Sequence, residues 1–121
     1  MSAEKLADRL LSFNGDIVKI WPSLKKNYIG RHVFGQLFRA SSSSGANYEK
    51  AGGGESRADF VHKMQVVLKE IRESAYWLRL IQHISLLPDE TICPLINEAS
   101  ELVKIFSKTV VTIKSSNKFD I

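Results

Sequence analysis

The sequence predicts an all-α fold, an antiparallel up-down four-helix bundle, and three observations carry that expectation. Apolar residues recur at steps of three and four through nearly the whole chain. The breaks between these periodic runs are short and are marked by Pro or Gly. No stretch shows the strict apolar/polar alternation of a half-buried strand. Short connections force successive helices to run in opposite directions, so each stripe is buried against the other three. The chain has 121 residues, is 44% hydrophobic and is 25% charged. That suits one domain, spanning 1–121, and lies far from the composition of disordered chains.

The first helix is expected from about Ser2 to Leu24. Leu6, Leu10, Phe13, Ile17, Ile20 and Leu24 share one face, and Ser2 is placed to cap it. Pro22 lacks an N–H and clashes with the preceding turn, so this helix should end or kink near Trp21, with Lys25-Lys26-Asn27 as a loop. The second helix begins at Tyr28 to Gly30 and turns Val33, Phe34, Leu37, Phe38, Ala40 and Ser41 inward. Its run Ser41-Ser42-Ser43-Ser44-Gly45-Ala46 has almost no side-chain bulk, which favours a kinked, closely packed helix resuming at Asn47-Tyr48-Glu49.

Gly52-Gly53-Gly54 marks a loop. Ser56 followed by Asp59 resembles a capping box, and the third helix then runs from Arg57 to about Leu86. Phe60, Met64, Val67, Ile71, Leu78 and Ile81 form its core stripe, widened by Val61, Leu68 and Ala75. Leu87-Pro88-Asp89-Glu90 ends it. Pro94 is tolerated only in a first turn, which sets the start of the fourth helix near Glu90 or Thr91. Leu95, Ala99, Leu102, Val103, Phe106, Val110 and Ile113 carry that helix to about Ser115, with Ser116 to Ile121 expected to fray.

Chemistry-bearing patterns are sparse. His32, His62 and His83 lack metal-ligand spacing, and the single cysteine, Cys93, excludes an internal disulfide and any Cys-rich zinc site. Glu70 and Glu73 sit one turn apart without the E-x-x-H of a di-iron site, so interhelical hydrogen bonding is their expected role. The glycine loop lacks the Lys of a phosphate-binding loop. These readings point to no enzyme, no metal, no cofactor and no small-molecule substrate. No apolar run reaches the length of a membrane span, and the charged N-terminus is unlike a signal peptide, so a soluble, cytoplasmic protein without a membrane partner is expected.

Charge gives the one functional lead. The net charge is +4, and residues 17–51 hold six basic side chains, Arg39 among them, against Glu49 alone. On the third helix His62, Gln65, Lys69, Arg72, Tyr76, Arg79 and His83 fall at alternating steps of three and four, an acid-free stripe about six turns long. Such a row suits the phosphates of RNA or DNA, with Tyr76 stacking on a base or sugar. The competing readings are an acidic protein partner, plain solvation, or pairing of Arg72 and Arg79 with Glu98 or Glu101 across the bundle. Trp77, Leu80 and Ile84 lie on another face and suggest either a broad core stripe or a subunit interface.

Two blocks carry a family resemblance. Gln36-Leu37-Phe38-Arg39-Ala40-Ser41 leads into Ser44-Gly45-Ala46-Asn47-Tyr48-Glu49, and Ser56-Arg57-Ala58-Asp59-Phe60-Val61-His62-Lys63 is followed by Leu68-Lys69-Glu70 and Trp77-Leu78. The chain resembles the four-helix-bundle proteins encoded in intervening sequences of bacterial large-subunit ribosomal RNA genes. Lys50 before Ala51 and the serine-rich run depart from the family pattern. The resemblance implies a left-handed bundle that often forms a homopentamer and has no established enzymatic activity. Relatives include the accessory variability protein of diversity-generating retroelements, a basic pentamer thought to bind nucleic acid and a reverse transcriptase. Asn47, Glu49, Ser56, Asp59, Lys69 and Glu70 are the family-like polar positions, expected to organise the helix kink and interhelical contacts.

Overall fold

In the computed structural model, residues 1–53 and 56–119 are described, and the side chains of 116–119 are left aside. The elements in order are α1 (Ala3–Val18), α2 (Trp21–Leu24), α3 (Tyr28–Ala51), α4 (Arg57–His83) and α5 (Asp89–Phe119). The four long helices form a ring in which α3 lies against α1 and α4, and α5 lies against α4 and α1. This is the up-down order that short loops impose. Its centre is filled by the expected stripes, with Phe13, Ile17, Leu37, Ile71, Leu78, Ile81, Leu102 and Phe106 all essentially inaccessible to water.

Ser2 caps α1, its hydroxyl accepting from the Lys5 N–H at 3.2 Å. The helix stops at Val18, a turn earlier than the proline alone suggests, and α2 is a single turn with Pro22 at its start, where a missing N–H is harmless. The first stave of the bundle is therefore the bent one. Asn27 caps α3 by accepting from the Gly30 N–H at 2.6 Å.

The expected kink in the serine run is not a break: α3 is helical throughout Tyr28–Ala51. The hydroxyls of Ser42 and Ser44 bond back to the carbonyls of Phe38 and Ser41, each at 2.6 Å, so they add no bulk and compete with nothing across the interface. The small side chains admit α1 instead. With its amide oriented to satisfy both groups, Asn14 of α1 donates to the Ser41 carbonyl at 2.8 Å, and a Cβ on Gly45 would meet that same amide at 2.7 Å.

Ser56 caps α4, accepting from the Asp59 N–H at 3.2 Å. That helix ends at His83 in a Schellman motif: Leu86 N–H reaches Ile81 O at 3.0 Å and Ser85 N–H reaches Gln82 O at 3.1 Å. Pro88 supplies the first acceptor of α5, receiving the Ile92 N–H at 3.1 Å. The helix thus begins at Asp89 and carries Pro94 in its second turn rather than its first, where the lost bond falls on the exposed side. It also continues past Ser115 as backbone helix to Phe119; of the tail expected to fray, Asp120 and Ile121 lie outside the described residues, as do Gly54 and Glu55 of the glycine loop.

Candidate nucleic-acid interface

Helix α4 sits between α3 and α5, and its two flanks carry different chemistry. On the α3 side, the Arg39 guanidinium spans Glu70 and Glu73 of α4: Nη1 donates to Glu70 Oε2 at 3.1 Å and Nη2 donates to Glu73 Oε2. Trp77 Nε1 donates to the same Glu73 oxygen at 3.0 Å. The Trp77 ring meets His32 of α3 edge-on at 6.2 Å and Tyr76 at 5.1 Å. Glu70 is 7% exposed, so this clamp supplies the cation that a buried carboxylate requires. The indole N–H and the guanidinium together hold the Glu73 carboxyl below the ordinary carboxylate range, and Glu73 in turn raises the Arg39 pKa.

The structure therefore separates Arg39 from the other cationic candidates and commits it to an interhelical ion pair. Trp77, read from sequence as a possible subunit contact, has its polar edge satisfied within its own chain. Leu80 is half-buried, and Ile84 is 41% exposed.

The outer face of α4 is different. Lys69, Arg72, Tyr76, Arg79 and His83 are all exposed along it, with Gln65 half-buried among them. Tyr76 is 54% exposed although its ring is braced by Trp77. Among the described residues Arg72 and Arg79 enter no ion pair. Of the acids proposed as their partners, Glu98 is engaged elsewhere and Glu101 is exposed. Glu98 grips Arg9 of α1 in a two-pronged pair, Nε at 2.8 Å and Nη2 at 2.7 Å, and Glu101 adds its charge to the same guanidinium, raising the Arg9 pKa. That rules out the cross-bundle pairing of Arg72 or Arg79 with Glu98.

A hollow of about 430 Å³ runs between α4 and α5, walled by Arg72, Tyr76 and Arg79, floored by Ala75, Ile96 and Val103, and edged by Ser100. A second, of about 390 Å³, lies beside it under Tyr76, Arg79, Leu80, Gln82 and His83. Tyr76 and Arg79 belong to both. Among the described residues no three of His, Cys, Asp and Glu are grouped to hold a metal ion.

The family-like polar positions divide along similar lines. Glu70 alone among them bridges two helices. Asn47 turns back on its own helix, donating to Ser43 O at 2.9 Å, while Ser56 and Asp59 close the first turn of α4. Glu49 and Lys69 are exposed.

A family model of the 23S rRNA-intervening sequence protein matches residues 6–108. The chain belongs to that family. The chain is also similar to a solved structure from Bacteroides thetaiotaomicron VPI-5482, described as a protein of unknown function from the S23 ribosomal protein family. The two superpose with a TM-score of 0.80 at 29% identity, over 91% of this chain and 98% of that one. No curated protein matches the chain. The helical fold is what the two chains share, and no helix among the described residues of this one is long and apolar enough to cross a membrane.

Proposed function

We propose that this protein is a non-enzymatic, nucleic-acid-binding bundle whose contact face is the outer surface of α4, with Lys69, Arg72 and Arg79 on phosphates. The observation that carries the reading is the pair Arg72 and Arg79, exposed on one acid-free face with no ion-pair partner among the described residues. An arginine engaged within the bundle, as Arg39 is, has its charge offset; these two present theirs to solvent, where a phosphodiester backbone gains by releasing counterions. The +4 net charge supports the reading by favouring encounter with polyanions.

Binding of mixed-sequence RNA and DNA at low salt, followed by fluorescence anisotropy, tests it. Measurable affinity that falls steeply with salt is expected. Absence of binding to either polymer, with retention of an acidic polypeptide such as polyglutamate, would replace the reading with that of a protein-interaction scaffold.

Self-association is the companion proposal, favoured by exposed apolar side chains: Ile84 at the end of α4, beside the half-buried Leu80, and Leu11, Val18, Trp21 and Phe38 on α1 to α3. Sedimentation at high concentration should find a species several times 13.6 kDa. A monomer there removes the proposal.

A further inference from the structure

The outer face of α4 restricts which form of nucleic acid it can hold, and we propose that its ligand is a single strand, with an unpaired base stacked on the Tyr76 ring and the flanking phosphates on Arg72 and Arg79. This inference rests on the nucleic-acid reading above and sharpens it. Three features support it together.

The first is the ring itself. Tyr76 is 54% exposed, and its ring packs edge-to-face against Trp77 at 5.1 Å and 76°, which leaves an accessible aromatic surface on this side of the helix. Bases in a duplex already stack on each other and offer no face to such a platform, whereas every unpaired base does.

The second is the flanking charge. Arg72 precedes Tyr76 by four residues and Arg79 follows it by three, so both cations share the ring's side of the helix, spaced about 10 Å apart along the axis. That arrangement serves a backbone on either side of one seated nucleotide.

The third is shape. The hollow beside the ring has an apolar floor of Ala75, Ile96 and Val103, a surface suited to a base and of no use to a phosphate. The second hollow, sharing Tyr76 and Arg79 and ending at His83, continues the track for the next nucleotide.

Anisotropy with labelled oligo(dT) and oligo(U) of about 12 nucleotides, against blunt DNA and RNA duplexes of equal length, tests the proposal on the full chain. Single strands are expected to bind at least about ten-fold more tightly than duplexes. Tyr76→Phe should retain that preference. Tyr76→Leu, which keeps apolar bulk against Trp77, should weaken single-strand binding by about ten-fold and leave duplex binding unchanged, since stacking of one base is what it removes. Equal affinity for both forms, or wild-type single-strand binding by a folded Tyr76→Leu protein, overturns the proposal. If in that case Arg72→Gln with Arg79→Gln still weakens every probe, the phosphate-binding reading survives. If no probe binds at all, both fall.

Discussion

At the scale of the residue, Ser85 takes the costliest backbone conformation. Its φ of 55° is the left-handed region, and among the described residues it is the only non-glycine with positive φ. The Schellman motif requires that geometry, and glycine adopts it without the Cβ penalty. Ser85→Gly should therefore stabilise the protein by about 0.5–1 kcal/mol, read as a rise in melting temperature. Gly30 presents the opposite case. A Cβ there would lie 2.0 Å from the Leu24 carbonyl oxygen, where α2 closes on the first turn of α3. Gly30→Ala should cost about 1–3 kcal/mol, because the obstacle is backbone and cannot swing aside. A melting temperature equal to wild type would show that the α2–α3 corner yields.

At the scale of the element, burial grades the stripe of α4. Ile71 is fully buried and Leu68 half-buried. Ile71→Ala should cost about 2–5 kcal/mol and Leu68→Ala clearly less, a difference that equal apolar spacing hides in the sequence and denaturant titration will expose. The clamp between α3 and α4 gives a pH signature. Because the Glu73 carboxyl is held below its ordinary value by Trp77 and Arg39, its contribution to stability is complete above about pH 4.5 and is lost as pH falls through the lowered folded value. The stability gap between wild type and Arg39→Gln should close over that acid range; a constant gap would mean that the guanidinium acts by packing alone.

The helices were legible because periodicity and capping are local: Ser2 and Ser56 each announce the turn that follows them, whereas the capping role of Asn27, read as loop, emerged only from the structure. The partners were not legible. Arg39 finds Glu70 and Glu73 more than thirty residues away, and Arg9 finds Glu98 across most of the chain, so no spacing rule links them. Read by charge alone, Arg39 looked like Arg72. Only its position on the flank of α3 facing α4 separates them, and the acid-free spacing of the α4 stripe is the part of the site that one helix could disclose by itself.

At the scale of the whole molecule, the outer face of α4 can be emptied of charge without touching the core. Arg72→Gln with Arg79→Gln should leave the melting temperature near wild type, since neither guanidinium holds an ion pair among the described residues, while flattening the salt dependence of single-strand binding by about one to two in log–log slope. Lost stability with unchanged affinity would assign the two arginines to the fold.

The ring of helices is unequal around its circumference. Helix α4 is packed along both neighbours, while α1 rests mainly on α3 and meets α5 sparsely, with the Arg9–Glu98 pair fastening that seam. A stave held along one edge and pinned at the other is the cheapest to lift. Amide hydrogens of α1 should exchange through a partial opening that leaves α3, α4 and α5 protected, and Glu98→Gln should speed that exchange in α1 selectively. The seam gives the bundle a hinge line, and swinging α1 outward along it would uncover Leu10, Phe13 and Ile17 while the cationic face on α4 stayed as it is.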